Sequence, residues 1–434
     1  MNDYTVFRQR RERLLQQMGN AVAVLATAPE RQRNRDSHYP YRYDSHFYYL
    51  TGFEEPEAVL VLQAATGRSI LFCRDKDPER EIWDGFRYGP DAAAELFGFD
   101  QAYSITQLDE RLPGLIADQA VLHYALGVEP TWDARVMGWL NAVRAQARSG
   151  TTAPGEVRDV RLAVDAMRLI KDDSEQDIMR RSAAIAGAAH CRAMRATRPG
   201  GYEYQIEAEI LHEFRYRGAQ SPAYTSIVAG GAHACVLHYV ENNALLRDGE
   251  LLLIDAGCEL DGYASDITRT FPVSGKFRAV QRDVYEMVLS AQAAALDAIR
   301  PGASWQAPHE AAVRVLAQGL LDFGLCRGSA EGVIESGDYR RFYMHRTGHW
   351  LGLDVHDVGD YKAGGEWRPL EPGMTLTVEP GCYIRPADDV PAEFWNIGIR
   401  IEDDVLVTAQ GKEVLSASAP KTVADIEALM AACR

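Results

Sequence analysis

Two short segments of this chain share one pattern, in which an apolar strand ends in an acid and glycine follows two residues later. The segments are Leu251-Leu252-Leu253-Ile254-Asp255-Ala256-Gly257 and Thr375-Leu376-Thr377-Val378-Glu379-Pro380-Gly381. A second acid follows each of them, Asp266 in the first case and Glu402 in the second. A duplication of this kind would place two similar halves around one shared site.

The length of 434 residues exceeds the size at which a single hydrophobic core usually stops growing, so we expect two domains. A loop-like run at 148–155 predicts the junction, and we place the domains at 1–165 and 166–434. The first domain reads as α/β. A charged helix through Arg13 precedes apolar segments typical of strands at Ala21–Thr27, Phe47–Phe53, Ala58–Gln63 and Ser69–Arg74.

The second domain begins with a long helical pattern that runs through Arg195. Ser174 and Asp177 form a capping signal ahead of it. Another helix is expected after Arg198-Pro199-Gly200-Gly201. From residue 225 the pattern changes to strands separated by glycine, with further helices at 278–299 and 305–323. This domain is therefore predicted to be α+β.

Charge and cysteine usage restrict the partners and the compartment. A net charge of −16 opposes binding to nucleic acid or to an anionic membrane surface. The start, Met1-Asn2-Asp3-Tyr4 followed by several arginines, lacks the apolar stretch of a signal peptide, and no run is long enough to span a bilayer. The seven cysteines (73, 191, 235, 258, 326, 382 and 433) form no C-x-x-C pair, so we interpret them as reduced packing residues of a cytoplasmic protein.

Asp255 and Asp266 are the first candidates for chemistry. Gly257, Asp261 and Gly262 lie between them and suit a hairpin turn, which would bring the two carboxylates together. Two carboxylates held close repel each other unless a cation compensates. The pair therefore indicates a metal site.

Further ligand candidates lie nearer the C-terminus. The segment 345–357 contains His345, His349 and His356, with glycines that do not suit a zinc-binding helix. Glu379 and Glu402 each follow apolar strand-like residues, where the pleat can direct an acid into a cleft. Four carboxylates and one histidine favour manganese or a similar ion, and two ions about 3.5–4 Å apart could share them and hydrolyse a substrate.

Together these motifs resemble the pita-bread metallopeptidases, which include methionine aminopeptidase, prolidase and aminopeptidase P. The resemblance is closest to aminopeptidase P and extends into the first domain. It rests on the two aspartates, Gly348-His349, Val378-Glu379-Pro380-Gly381, Arg400-Ile401-Glu402-Asp403, Tyr224–Val228, Leu237-His238-Tyr239, the segment 349–357, Tyr49–Phe53 and Glu55-Pro56-Glu57-Ala58. It implies an α/β N-terminal domain followed by an α+β pita-bread catalytic domain.

The resemblance also implies an activity: a dinuclear enzyme, most simply with two Mn²⁺ ions, that cleaves the N-terminal Xaa-Pro bond by attack of a metal-bridging hydroxide. Its substrates would be peptides with proline at the second position. A homo-oligomer, dimer or tetramer, is expected from the same resemblance.

The resemblance also implies a role for each residue that matches a position of the family motifs. Asp255 would bind one metal, while Asp266 and Glu402 would bridge the pair. His349 and Glu379 would complete the second metal's shell, and Glu379 would accept the proton of the attacking water. The substrate-contacting or orienting residues would be His238, His356, His345 and Arg400.

Some positions depart from the family pattern and keep alternatives open. Arg346 stands where many aminopeptidases P have glycine, which keeps open the alternative of a prolidase that cuts only dipeptides. Tyr43-Asp44-Ser45-His46 also differs, so no contact is carried over from it. Trp83 resembles a residue that reaches a neighbouring subunit's site, or is simply a surface or core tryptophan. A catalytically inactive binding module is the third alternative, against which the five filled ligand positions argue.

Overall fold

The computed structural model describes residues 4–432 and has two compact units, Met1–Met167 and Arg168–Arg434. Met1–Asp3 of the predicted N-terminal start and the predicted packing residue Cys433 lie outside the described residues. Of the other cysteines, all with free thiols, Cys191 is partly exposed and the rest are buried. Within residues 4–432 no helix is long and apolar enough to cross a membrane.

The first unit is built around a six-stranded sheet. Its helices are α1 (Thr5–Met18), α2 (Ser45–Thr51), α3 (Pro78–Asp84), α4 (Gly89–Phe97), α5 (Leu108–Ile116) and α6 (Pro130–Arg144), and α7 (Arg161–Leu169) ends just beyond it. Its strands are β1 (Ala21–Ala26), β2 (Gln32–Asn34), β3 (Ser37–His38), β4 (Val59–Gln63), β5 (Arg68–Cys73), β6 (Gln101–Ser104), β7 (Val121–His123) and β8 (Glu156–Arg158). The sheet order is β6-β5-β4-β1-β7-β8, with β1 antiparallel to β4 and parallel to β7. Apolar side chains of the central strands pack with those of α5 and α6 to form the core of this unit.

The strand predicted at Phe47–Phe53 is wrong, because this segment forms the helix α2. The Asp44 side chain accepts a hydrogen bond from the backbone N–H of Phe47, which caps the start of the helix. Gly52 ends it in the left-handed conformation, with its N–H bonded to the carbonyl of Tyr48. Short aromatic runs fit a buried helix as well as a buried strand, and here the local caps decide the outcome.

The second unit contains the remaining elements. Its helices are α8 (Asp173–Ala196), α9 (Glu203–Tyr216), α10 (Ala279–Asp297), α11 (Ala307–Asp322), α12 (Ala330–Ser336) and α13 (Val423–Ala431). Its strands are β9 (Ser221–Pro222), β10 (Ile227–Gly230), β11 (Leu251–Asp255), β12 (Cys258–Leu260), β13 (Tyr263–Ala264), β14 (Thr268–Pro272), β15 (Lys362–Ala363), β16 (Glu366–Trp367), β17 (Thr375–Val378), β18 (Gly381–Ile384), β19 (Ile397–Arg400), β20 (Asp403–Thr408) and β21 (Gly411–Val414). One core, contributed by both helices and strands, fills this unit.

The cap of α8 lies two residues before the predicted Ser174. The Asp172 carboxylate accepts hydrogen bonds from the backbone N–H groups of Ser174 and Glu175. The Glu175 side chain in turn accepts from the backbone N–H of Asp172, which completes a reciprocal capping box. Asp172 and Glu175 therefore form the capping pair, and the predicted Ser174–Asp177 pair is wrong.

Two antiparallel strand pairs position the four acids. β11 pairs with β14, with Asp255 opposite Thr268, and β17 pairs with β20, with Val378 opposite Asp403. Glu379 therefore follows β17 directly, and Glu402 directly precedes β20. The backbone N–H of Glu402 donates to the carbonyl of Thr268 at 3.1 Å, which joins the two pairs.

The predicted hairpin between the two aspartates is present. Asp261 and Gly262 both have positive φ values, 49° and 83°, at the tight turn between β12 and β13. At Gly257, an added Cβ would lie 1.6 Å from the carbonyl oxygen of Ser265. Only glycine therefore allows the two backbone segments to approach this closely.

Candidate metal centre

Every residue that the sequence predicted for the site lines one cavity of about 580 Å³ in the second unit. These residues are His238, Asp255, Asp266, His345, His349, His356, Glu379, Arg400 and Glu402. The cavity is further lined by Leu237, Trp305, Arg346, Gly348, Tyr361 and Trp367. The structure thus brings together side chains that are separated by more than a hundred residues in sequence.

Three of the five predicted metal ligands offer donor atoms that lie within 4.8 Å of one another: Asp266, His349 and Glu402. Nε2 of His349 lies 3.4 Å from Oδ2 of Asp266 and 3.8 Å from Oε1 of Glu379. Nδ1 of His349 bonds to the carbonyl of Trp350 at 2.9 Å, so this nitrogen carries the hydrogen. Nε2 is therefore the nitrogen that can bind a metal.

The backbone beside β17 fixes the position of His349. The N–H of Thr377 donates to the carbonyl of His349, and the N–H of Glu379 donates to the carbonyl of Thr347. A Cβ at Gly348 would lie 2.1 Å from the carbonyl oxygen of Thr377, so glycine is required for this close approach. His349 and Glu379 are in this way held side by side by one ladder of hydrogen bonds.

Asp255, the fourth predicted ligand, is held by two partners. Nη2 of Arg400 donates to its Oδ2 at 2.6 Å. The hydroxyl of Tyr224 lies 2.6 Å from Oδ1 of Asp255 and 2.5 Å from Oδ1 of Asp266. A phenol has a single hydrogen to donate, so Tyr224 can satisfy one of these carboxylates at a time.

Burial and mutual repulsion oppose the ionisation of three of these four acids; for Asp266 burial also raises the pKa, but the hydrogen bond and charge of His349 outweigh it and lower the pKa. Burial raises the pKa of Glu379 to about 7 and, with the charges of Asp266 and Glu379, raises the pKa of Glu402 well above its usual range. Burial also raises the pKa of Asp255, although Arg400 opposes that shift. For His349, burial lowers the pKa, but the hydrogen bond and charge of Asp266 outweigh it and raise the pKa to about 9.

These shifts provide a test of whether the residues fit a metal. Four carboxylates converge here, and the cationic side chains among them are Arg400 and a protonated His349. Keeping all four carboxylates ionised needs more positive charge than these two groups supply, and divalent cations would supply it. Oxygen donors with one imidazole are also a usual donor set for such ions. The residues therefore fit a metal centre.

Arg400 connects several members of the site. Its Nε donates to the hydroxyl of Thr268 at 3.1 Å, and its Nη1 donates to the hydroxyl of Tyr383 at 3.0 Å. The Tyr383 hydroxyl lies 2.8 Å from Nε2 of His345, whose Nδ1 bonds to the carbonyl of Arg346. Tyr383 therefore accepts from Arg400 and donates to a neutral His345, because burial, followed by the charge of Arg400, lowers the pKa of His345 to about 3.

Sequence reasoning assigned no role to Thr268, Tyr383 or Tyr224. Thr268 carried a usable signal, because it follows Asp266 by two residues and strand alternation places both on one face. Tyr224 belongs to one of the motifs quoted for the family resemblance. For Tyr383, a tyrosine in an apolar strand, the sequence offered no such indication.

The predicted substrate-contacting histidines differ from the ligands in exposure. His238 and His356 are exposed on the cavity wall, whereas Asp266, Glu402 and Arg400 are buried. The ring of His356 packs edge-on against His349 with centroids 4.3 Å apart. Burial, followed by the charge of His349, lowers the pKa of His356, so this imidazole is neutral near pH 7.

The structure also shows the surroundings of Arg346 and Trp83, whose roles the sequence left open. Arg346 lines the cavity, where its Nη1 donates to Oε1 of Gln306 at 2.8 Å and its guanidinium lies 5.1 Å from the centroid of the Trp367 ring. Trp83 lies on α3 in the first unit with 83% of its surface exposed, and Ile82 beside it is 80% exposed. The predicted role of Trp83 at a neighbouring subunit stays a prediction.

Comparison with known proteins gives matches over the whole chain. Residues 177–409 match the model of metallopeptidase family M24, and residues 7–123 match that of the aminopeptidase P N-terminal domain. The chain is 46% identical to Xaa-Pro aminopeptidase of Escherichia coli (strain K12) over 433 residues, which cover 99% of this chain and 98% of the relative.

Solved structures agree with these matches. The structure of the Pseudomonas aeruginosa aminopeptidase PepP has a TM-score of 0.98 and 51% identity, with coverage of 100% of this chain and 99% of that one. A variant of Escherichia coli aminopeptidase P in complex with substrate has a TM-score of 0.97 and 45% identity, with the same coverage.

Proposed function

The chain belongs to metallopeptidase family M24, and from that premise we propose that it is an Xaa-Pro aminopeptidase, a hydrolase that removes the residue preceding proline. The predicted fold class, an α/β N-terminal domain followed by an α+β pita-bread catalytic domain, is confirmed. One observation carries the functional conclusion: the five ligand-type side chains lie at one cavity together with two exposed histidines.

Asp255, Asp266, His349, Glu379 and Glu402 would hold the metal ions, which we propose are two Mn²⁺. The clustered donor atoms of Asp266, His349 and Glu402 support this assignment, as does the excess of carboxylates over cationic side chains. When bound, the ions would activate a water molecule and polarise the scissile carbonyl.

The protein's own side chains supply the remaining chemistry. Glu379 lines the cavity beside His349 and accepts the proton of the attacking water. His238 and His356 face the cavity and donate hydrogen bonds to the oxyanion that develops on the substrate. Arg400 keeps Asp255 in place directly and Glu402 through Thr268.

Selectivity for proline has a physical reason. An Xaa-Pro bond is a tertiary amide without an N–H. A peptidase that binds extended backbone through the N–H of the scissile amide therefore lacks this contact in an Xaa-Pro substrate. A site that activates the carbonyl and stabilises the oxyanion does not need that hydrogen. Apolar and aromatic side chains in the same cavity, Trp305, Tyr361 and Trp367, offer surface for a proline ring.

The test of this function is hydrolysis of Ala-Pro-Ala beside Ala-Ala-Ala by the full-length protein. Cleavage of Ala-Pro-Ala alone, lost on chelation and restored by Mn²⁺, is the expected result. Full activity in a preparation shown by elemental analysis to be metal-free would contradict the mechanism, and equal cleavage of both peptides would contradict the specificity.

Prolidase activity is the second candidate, and Arg346 favours it. This cation lines the cavity, and within residues 4–432 its side chain forms no ion pair with a carboxylate. It could therefore bind the free carboxylate of a dipeptide. The inactive-module alternative has no comparable support, since all five ligand positions are filled. A homo-oligomeric state and a cytoplasmic location stay predictions.

A further inference from the structure

Glu203 is a fully buried carboxylate away from the metal ligands. It is the first residue of α9, and none of its surface is exposed. Oε1 accepts from the backbone N–H of Gly230 at 2.7 Å and lies 3.2 Å from Nδ1 of His233. Oε2 accepts from the hydroxyl of Tyr239 at 2.8 Å and from the backbone N–H of Ala244 at 2.8 Å.

These four partners all belong to the segment 230–244, which we call the His238 loop. Gly230 is its first residue and Ala244 its last, so one carboxylate holds both ends together. The backbone N–H of Glu203 also donates to the carbonyl of Ala244 at 3.0 Å. Inside the loop, Tyr239 is the residue next to His238, and its ring stacks on that of His233 with centroids 4.3 Å apart.

Apart from Glu203, the part of the loop near the cavity is held by apolar packing of Leu237 and Tyr239 with a small buried cluster. Leu237 and His238 line the cavity, and Val236, His238 and Val240 are exposed. The neighbouring anchors lie at the base of the loop. Asn242 bonds to the backbone of Ser226 and Val228, and Arg385 donates to the carbonyl of Cys235. Of the two residues adjacent to His238, Tyr239 is the one whose side chain is also held by a hydrogen bond, to Glu203.

We propose that Glu203 is a positioning residue for His238, which fixes this histidine at the cavity wall through Tyr239 and the two ends of the loop. The inference rests on the substrate-contacting role proposed for His238. Loss of the carboxylate would make the loop mobile, so the His238 imidazole would occupy several positions. Only some of these positions allow a hydrogen bond to the substrate.

Glu203→Gln is the sharpest substitution. Glutamine keeps the shape and one acceptor oxygen, but its NH₂ group faces a backbone N–H, either that of Gly230 or that of Ala244, so at least one of the four hydrogen bonds is lost. With Ala-Pro-Ala and Mn²⁺, we expect kcat to fall at least about tenfold while metal content, measured by elemental analysis, stays unchanged. Amide hydrogen exchange in 230–244 should become faster.

A double-mutant cycle separates positioning from a general loss of stability. If Glu203 acts through His238, adding Glu203→Gln to His238→Ala should change kcat by less than about twofold. Losses that multiply in the double variant would overturn the proposal, as would a single Glu203→Gln variant within about twofold of the wild-type kcat.

The matched control is Glu213→Gln, on the same helix. Glu213 is also buried, but it pairs with Arg192 and Arg217 rather than with the loop, so kcat and exchange in 230–244 should stay unchanged. If Glu203→Gln does not fold, Tyr239→Phe removes one donor alone. It should lower kcat at least about threefold, and that loss should disappear in the His238→Ala background.

Failure of the positioning role is distinguishable from failure of the proposed function. A wild-type protein that does not cleave Ala-Pro-Ala with Mn²⁺ would refute the function and the inference together. If the wild type turns over normally, but the losses of kcat in Glu203→Gln and His238→Ala multiply in the double variant, the inference alone would be refuted.

Discussion

The hydroxyl of Thr268 donates a hydrogen bond to Oε2 of Glu402 across 2.6 Å. The hydroxyl oxygen of Thr268 in turn accepts a hydrogen bond from Nε of Arg400 at 3.1 Å. Thr268 is fully buried at the start of β14, so water cannot replace either bond. One hydroxyl therefore links a cation to a proposed metal ligand and fixes the direction of that ligand's carboxylate.

Thr268→Val should weaken metal binding by about 10–100-fold, the usual cost of losing a group that orients a ligand. The substitution keeps the shape of the side chain and removes only the hydroxyl. Isothermal titration of the metal-free protein with Mn²⁺ measures the effect. Thr375→Val is the control, because the Thr375 hydroxyl is equally buried but has no hydrogen-bond partner among the described residues. Equal affinity in the two variants would show that Thr268 does not orient Glu402.

Glu379→Gln should lower kcat by about 10²–10⁴-fold, since an amide cannot accept the proton of the attacking water. Steady-state kinetics on Ala-Pro-Ala at saturating Mn²⁺ measures the loss. Cys382→Ala serves as the control, because Cys382 is a buried packing residue three positions along the chain. A Gln variant as active as the Cys382→Ala variant would remove Glu379 from the mechanism.

His238→Ala and His356→Ala should each lower kcat by about 10²–10³-fold, as expected for loss of a donor to the oxyanion. Both side chains are exposed on the cavity wall. We therefore expect both variants to keep their full metal content in elemental analysis. A variant that has lost a metal ion would show that its histidine acts on the metals instead.

His190 should make the protein less stable as the pH falls from about 6.5 to about 4. Burial, followed by the charge of Arg269, lowers the pKa of this residue to about 4. The unfolded chain then binds a proton in this window that the folded protein does not, so the unfolding free energy decreases with decreasing pH. At pH 5 the loss is about 2 kcal/mol.

Urea unfolding at pH 7 and pH 5 measures this contribution. His190→Gln should reduce the difference in unfolding free energy between the two pH values by about 2 kcal/mol. His212→Gln, on the exposed surface of α9, should leave the difference unchanged. The same pH dependence in His190→Gln and in the wild type would refute the assignment.

Much of the site could be predicted because its acids lie next to strand ends. Asp255 ends β11 and Glu379 follows β17, and apolar runs of this kind are visible in sequence. The glycines beside them were equally visible. Their reason, the close approach of Gly257 to the carbonyl of Ser265, became clear only from the structure.

The parts that the sequence did not reveal depend on contacts between distant segments. The bond between Tyr383 and His345 joins two neighbouring elements whose packing no local pattern specifies. In the sequence, Glu203 looks like an ordinary acidic residue in the first turn of a helix. Its four hydrogen-bond partners lie 27 to 41 residues further along the chain. The strand predicted at Phe47–Phe53 was wrong for the opposite reason. The caps of this helix are local in sequence, but its aromatic residues suit a helix and a strand equally.

Peptides of three or more residues that begin with Xaa-Pro should be cleaved, because the likeness to aminopeptidase P covers both units, whereas the case for a dipeptidase rests on Arg346. In the structure this guanidinium is already held by Gln306 and lies over Trp367. A contact between Arg346 and the carboxylate of a dipeptide would contribute about 1.5–3 kcal/mol, enough to reverse the preference.

The measurement is kcat/KM for Ala-Pro and Ala-Pro-Ala in the wild type and in Arg346→Ala. Lys362→Ala is the control, since Lys362 lies over the same ring, 4.6 Å from its centroid. A value at least about tenfold higher for Ala-Pro, lost in Arg346→Ala but kept in Lys362→Ala, would identify a prolidase instead.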